Sequence, residues 1–370
     1  MKGRLTALAI AALATLASAM PISAFTPQST AASQALAWLH TLQGTDGTVA
    51  GNASRTEETV WGLIANNLAV ADLSTSGKTP IDSLRTHIAD EEKSAGNIGT
   101  LLLAVSAAGL DPTTFAGRNL LQDLQCTYNP STGAYNGQLF NDALAVLALP
   151  AGAATAKAKQ FLASRQQADG GWEFQAGYGS DTNTSALVLM ALVSADGLDA
   201  TTRDKALAYF KLHQKPSGGF EYSAPFSPPG DSDPNSDAAV IEALLATGQD
   251  PTSAAWSIGD KNAVTDLLTF QYPNGGLGFT RPGPSASGTA DAFSTTQALP
   301  ALTSKYLPVK KTNGVMPSTC PAVPITTPTP TPSTTQLATT GAPPDPTPLL
   351  PMVAGLAIVA LGWRLRRRAR

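Results

Sequence analysis

The chain predicts an all-α fold, an α6/α6 toroid in which six helix hairpins close into a ring. Three observations lead there. The stretch Gln166-Gln167-Ala168-Asp169-Gly170-Gly171-Trp172 reads Gln-x-x-x-Gly-x-Trp between two helical segments. The same spacing returns at Gln214–Phe220 and Gln271–Leu277, more weakly at Gln43–Val49, and in a longer form from Gln125 to Tyr135. Between Gly47 and Gly133 there is room for one further unit, filled by the helical stretches Ile81–Asp90 and Asn97–Gly109. Self-similarity at a fixed period is the signature of a repeat architecture.

Each unit begins with an outer helix: Ala35–Leu42, Ile81–Asp90, Arg118–Leu124, Lys157–Ser164, Asp204–His213 and Ala263–Phe270. An Ala/Leu-rich inner helix follows the turn: Thr59–Leu68, Asn97–Ala107, Asn141–Leu149, Thr182–Val193, Asp237–Ala246 and Asp291–Ala301. The inner set is the more uniformly apolar and is expected to be buried on most sides. Gly109-Leu110-Asp111-Pro112, Gly197-Leu198-Asp199 and Gly248-Gln249-Asp250-Pro251 end inner helices, with glycine after the last turn and proline soon after. In the turn, paired glycines permit a tight reversal. The aromatic packs in the seam between units, and the glutamine serves exposed backbone groups at a helix end. One hairpin cannot bury its own apolar face; six in a ring give every unit two neighbours.

The motif and its helix pair resemble the terpenoid cyclase and protein prenyltransferase superfamily. Residues 156–193 are most similar to a squalene–hopene cyclase repeat, down to Asp169-Gly170-Gly171-Trp172 and to Asp181-Thr182 ahead of the inner helix. The resemblance implies a toroid of prenyltransferase/squalene oxidase-like repeats over residues 30–310. Cobalamin carriers of the transcobalamin and intrinsic-factor kind share that ring, so the fold alone names no chemistry. The family's acid motif, Asp-x-Asp-Asp, has its nearest match in Asp231-Ser232-Asp233-Pro234, where proline takes the place of the last acid. No Asp-Asp-x-x-Asp is present. Cys126, Cys320, His40, His87 and His213 lack the clustered spacing of a zinc site. Enzymatic activity is therefore the lesser expectation. The leading one is a binding module for a small hydrophobic or cobalamin-like ligand or a protein partner. The alternatives are a terpenoid cyclase- or prenyltransferase-like enzyme using rim carboxylates, and a structural surface spacer.

Glu57, Glu58, Asp142, Asp181, Asp237 and Asp291 sit near inner-helix starts, with Asn97 in the short unit. They read first as N-terminal caps that also oppose the helix dipole, and second as the rim of a central site. The ligand-binding candidates are Asp142, Asp181, Asp237 and Asp291 with the turn aromatics Tyr135, Trp172, Phe174, Tyr178, Phe220 and Tyr222. For Trp172 and Phe220, packing between repeats is the favoured role. Asp231, Asp233, Asn235 and Asp237, with Glu242 further on, have the spacing of a calcium loop, although Ser236 replaces its glycine. No cofactor is called for; calcium and cobalamin are the two candidates kept.

The termini speak of export. Residues 1–24 read as a signal peptide: Lys2 and Arg4, the apolar run Leu5–Leu16, and small residues ending at Ala19 or Ala24. In an oxidising compartment Cys126 and Cys320 are expected to pair, tying the segment after the last repeat to the third unit. Residues 321–336 form a Pro/Thr-rich linker, extended and semi-rigid. Residues 337–370 resemble a cell-wall sorting signal. Leu337-Ala338-Thr339-Thr340-Gly341 precedes the apolar run Leu349–Trp363, a short membrane-seeking helix, and an arginine tail. The resemblance implies cleavage by a sortase after Thr340, attachment to peptidoglycan, only transient membrane contact, and a place on the bacterial cell surface. A net charge of −3 offers nucleic acid no basic face.

Overall fold

Caps and breakers cut the chain into helices at places its polar residues dictate. In the computed structural model the described residues are 26–88, 94–135, 138–222, 231–283 and 289–320. The helices come in alternating pairs: α1 (Ser29–Thr41), α2 (Ala53–Ala65), α3 (Pro80–Thr86), α4 (Ala95–Ala107), α5 (Leu120–Thr127), α6 (Leu139–Leu147), α7 (Ala156–Ser164), α8 (Thr182–Ser194), α9 (Ala200–Leu212), α10 (Pro234–Ala246), α11 (Ala263–Leu268) and α12 (Ala292–Leu302). The signal peptide, the Pro/Thr linker, the sorting signal and its apolar helix lie outside the described residues. Among those described, no helix is long and apolar enough to cross a membrane.

The helix α8 shows the logic. Asp181 precedes it in extended backbone and accepts from Thr184 N at 2.7 Å, supplying the cap that the first turn lacks. Leu187, Val188, Leu189, Met190 and Leu192 are buried within it, each contributing about 1.5–3 kcal/mol by leaving water. At its end Asp196 turns left-handed, and Gly197 N returns to Leu192 O at 2.8 Å. Even-numbered helices form the core. The helix α4 packs against α2 and α6, α8 against α6 and α10, and α12 against α10 and α2. Gln28 N donates to Leu302 O at 2.7 Å, joining the start of α1 to the end of α12.

The motif turns stitch neighbouring units together. Gln166 Nε2 donates to Gly170 O in its own turn and to Thr202 O in α9, both at 2.9 Å. Gln214 spans Gly218 O (2.9 Å) and Trp256 O (2.7 Å). Gln43 reaches Gly47 O and Lys78 O. Gln271 spans Gly275 O and, in the first helix, Ala31 O. Glycine is required where these turns touch. Gly170 has φ +93°, and a Cβ there would stand 2.4 Å from Lys205 O. At Gly275, φ is +96° and the Cβ would stand 2.5 Å from Gln34 O.

Several inner helices begin earlier than the apolar pattern indicates. The helix α2 starts at Ala53 behind its cap Asn52, and α10 starts at Pro234 behind Asp233. Polar first turns hide these starts, so Glu57, Glu58 and Asp237 lie inside their helices rather than capping them. Asp142 likewise lies inside α6, and α4 is capped by Ser94, whose Oγ accepts from Asn97 N at 3.2 Å. Asp181 and Asp291 are caps.

Beyond α12, residues 303–320 run back across the ends of the inner helices. Leu307 N donates to Glu242 in α10, Lys311 Nζ to Ser194 at the end of α8, and Ser106 in α4 to Thr312. Cys320 is bonded to Cys126 in α5 with an S–S distance of 2.04 Å.

Candidate functional site

One position in each long unit ties the turn to its inner helix. The residue two past the left-handed turn glycine gives its backbone N–H to a side chain four residues past the helix cap. Val49 donates to Thr56 at 2.9 Å, Trp172 to Ser185 at 2.8 Å and Leu277 to Thr295 at 2.9 Å. In two units the acceptor is an acid: Tyr135 N donates to Asp142, and Phe220 N to Asp237 at 2.6 Å. Asp142 and Asp237 therefore hold their own turns, as do the hydroxyls at the equivalent positions.

The side chains of Tyr135, Trp172 and Phe220 are buried in the seams, and Trp172 Nε1 donates to Leu162 O at 2.8 Å. These three are packing anchors. The aromatic two residues further on behaves differently. Phe174 and Tyr222 are half-buried, and Phe279 is exposed. Each stands beside the cap of the following inner helix: Asp181, Asp233 and Asp291. The Phe174 N–H lies near Asp181 and the Phe279 N–H near Asp291, each favouring the anion. The ring of Phe174 packs against Phe140 at 5.8 Å, and that of Phe279 against Phe293 at 5.9 Å. Arg55 of α2 lies 4.5 Å over the Phe293 ring. Tyr178 is 52 % exposed in the turn between the two short strands β1 (Trp172–Glu173) and β2 (Ser180–Asp181). The sequence reading missed Phe140, Phe293 and Arg55. Its own alignment carried the signal for Phe279, which recurs in the register of Phe174 and Tyr222.

The electrostatics of these helix starts are those of buried carboxyls. Burial pushes Asp181 up to about 6, against the pull of the Thr184, Phe174 and Asn183 N–H groups. Asp291 is raised by burial, although Ser294, Phe279 and Arg55 favour its anion. Glu58 is raised by burial against Arg55, 2.9 Å away, and it also accepts from Thr296 of α12. Asp237 is raised well above the carboxylate range by burial and then by the neighbouring Asp266. Asp266 in turn is held by Arg281 at 2.8 Å.

Among the described residues, Asp181 Oδ2, Asn183 Oδ1, Asn235 Oδ1, Asp291 Oδ2 and Ser294 Oγ are buried without a hydrogen-bond partner. All five lie in the first turns or caps of the adjacent helices α8, α10 and α12. Similar unpartnered buried atoms also occur away from these helix starts, at Tyr209 Oη, Trp256 Nε1 and Ser304 Oγ. Deeper in the same helices Leu189, Val240, Ile241, Leu244 and Leu299 are fully buried and pack as core. Two surface recesses lie elsewhere, one of about 440 Å³ beside α7 and one of about 480 Å³ beside the end of α8.

The calcium expectation is corrected. Asp231, Asp233, Asn235 and Asp237 do not converge, because Pro234 starts a helix where a loop would have to wrap. Asp233 Oδ1 accepts from Asn235 N at 3.0 Å and Ser236 N at 3.1 Å, Asp237 faces Phe220, and Glu242 faces Leu307. Among the described residues no group of three or more acids, histidines or cysteines is arranged to hold a metal.

No family model matches the chain, and no curated protein matches it in sequence. Solved structures do match in shape. A variant of the type II terpene cyclase MstE from Scytonema, in complex with its substrate geranylgeranyl dihydroxybenzoate, is 16% identical with a TM-score of 0.57; the match covers 75% of this chain and 97% of that one. The same cyclase without ligand gives 16% identity and a TM-score of 0.55 over the same shares. A protein from Actinoplanes gives 13% identity and a TM-score of 0.51, covering 75% of this chain and 99% of that one. At such identities the likeness concerns shape: the described residues have a terpene cyclase-like, mostly helical fold.

Proposed function

We propose that this chain is a terpene cyclase-like enzyme working at the N-terminal ends of α8, α10 and α12, with Asp181 as its proton donor. The observation that carries the reading is Asp181 itself. It is a buried carboxyl, protonated in good part near pH 6, with one oxygen unengaged among the described residues and the Phe174 backbone beside it. The fold likeness supports an isoprenoid-type substrate, of the class the Scytonema cyclase takes. In such a step the Asp181 O–H breaks and a C–H bond forms at an alkene carbon. The resulting cation meets the ring of Phe174 beside Asp181, and loss of a proton from the cyclised cation to the Asp181 carboxylate gives the neutral product and restores the acid. A carboxyl titrating close to the working pH is suited to that exchange.

The test is incubation of the purified chain with geranylgeranyl dihydroxybenzoate at pH 5–6, reading cyclised product by mass. Asp181→Asn should lower turnover by about 100-fold or more. Bound but unchanged substrate would instead favour a binding module. One observation speaks for that second reading: Pro234 follows Asp233 where the cyclase motif has an acid.

On the same proposal the helices form a closed α6/α6 toroid. The hydrogen bonds of Gln271 to Ala31 and of Thr296 to Glu58, which join the last unit to the first, support closure. Export by residues 1–24 and wall attachment through Thr340 complete the reading, on the strength of the Leu337–Gly341 motif and the arginine tail. The mass of protein released from the wall tests attachment: a chain ending at Thr340 is expected, and one retaining the arginines overturns it.

A further inference from the structure

The segment 303–320 is held to the helices at few points for its length. Leu307 is buried and its N–H donates to Glu242 Oε2 at 3.2 Å. Thr312 is 4 % exposed, bonded to Ser106 at 2.9 Å and paired with Pro150. Lys311 Nζ caps the Ser194 carbonyl. Beyond Thr312 the segment rides on the surface, with Val315 85 % exposed. Its far end is fixed by Gln122 Nε2 to Thr319 O at 2.9 Å and by the Cys126–Cys320 bond. Val193 and Ser194 form one wall of the 480 Å³ recess, and Tyr306, Pro308 and Val309 form the other. The segment thus makes half of the recess while burying little of its own surface. Segments of that kind open locally, well short of global unfolding.

We propose that residues 303–320 are a redox-latched strap, with Cys126–Cys320 as the catch that holds one wall of the recess beside α8 in place. The opening step is thiol–disulfide exchange with a dithiol reductant. One reductant thiolate attacks a sulfur of the pair, forming a mixed disulfide and expelling the other cysteine as thiolate. The second reductant thiol then closes the reductant's own disulfide and frees the remaining cysteine. The protein gains two electrons and two protons, and the reductant loses them. Released from α5, the strap keeps the hydrogen bonds of Leu307, Lys311 and Thr312 and the packing of Val309 and Met316, and its residues exchange with solvent by local opening.

The test is amide hydrogen exchange on the folded full chain, oxidised and after treatment with dithiothreitol, with Cys126→Ser/Cys320→Ser alongside. Exchange across 303–320, including the Leu307 amide, should accelerate at least about tenfold on reduction. Exchange within α4, α8 and α10 should hold steady, and the strap should regain protection on reoxidation. Unchanged protection of the strap would overturn the proposal. So would loosening of the inner helices together with it, or failure of the double variant to fold, since either makes the segment part of the core.

Discussion

Gln271 donates to the carbonyl of Ala31 across 240 positions of sequence, at 2.8 Å. The bond repeats what Gln166 does for Thr202 between consecutive units, but it joins the last motif turn to the first helix. Replacing Gln271 by alanine strips a donor from two carbonyls at once and should cost about 1–3 kcal/mol in urea-induced unfolding. Gln166→Ala should cost a similar amount. Only the Gln271 variant should speed amide exchange in α1, and equal exchange there in both variants would refute the assignment.

Gly275 and Gly259 both have positive φ, at +96° and +66°. A methyl group at Gly259 meets nothing within 4 Å, whereas at Gly275 it meets the Gln34 backbone at 2.5 Å. Gly259→Ala should therefore cost only the left-handed backbone term, about 1–2 kcal/mol. Gly275→Ala should cost clearly more, because the turn has to leave α1. Thermal denaturation of the two variants side by side decides; equal losses would mean the turn yields freely.

Trp172 fills the seam of the fourth unit and gives its Nε1–H to Leu162 O. Trp172→Ala should lose about 3–5 kcal/mol. Trp172→Phe keeps most of the volume and leaves Leu162 O only the bond from Arg165 N, for about 0.5–1.5 kcal/mol. Chemical denaturation gives both values, and the order of the two variants is the point at risk.

Asp181 makes stability depend on pH in a stated direction. Its folded pKa, about 6, lies above the ordinary value of 3.8, so the native state binds its proton more tightly than the unfolded chain does. The stabilising effect of that proton is complete below about pH 4. It falls away as pH rises through about 6, by up to about 3 kcal/mol in all. Asp181→Asn keeps an N-cap without a charge. Above pH 6 the variant should be the more stable protein, and the difference from the wild type should close as pH falls towards 4. Denaturant titrations at pH 4, 5, 6 and 7 measure this, and a constant difference would contradict it.

Much of the helical order was legible because two periodicities coincide: the Gln-x-x-x-Gly turn and the Ala/Leu stripe of each inner helix. Helix starts were less so. Polar first turns such as Asn52–Glu57 and Asp233–Asp237 carry no apolar rhythm, and Asp142 and Asp237 looked like caps when they are acceptors one turn further in. The turn acceptors were invisible because Thr, Ser and Asp share the position, and only geometry shows that they do one job. Phe174, Tyr222 and Phe279 occupy one register, but the anchors before them drew the eye. The raised proton affinity of Asp181 could not be read at all, since burial, not residue type, sets it. The calcium spacing misled because Pro234 begins a helix where the loop would have to bend.

The Cys126–Cys320 bond also decides where the helices feel a mechanical load. Tension applied to the chain beyond Cys320 divides at that residue, and the covalent route leads straight into α5 in the third unit. The stretch 303–319 then hangs slack beside the load path, and the weak contacts of Leu307 and Thr312 are spared from peeling. A protein pulled from its C-terminal side would thus be gripped by its middle, and its last helix would be among the elements shielded from the pull.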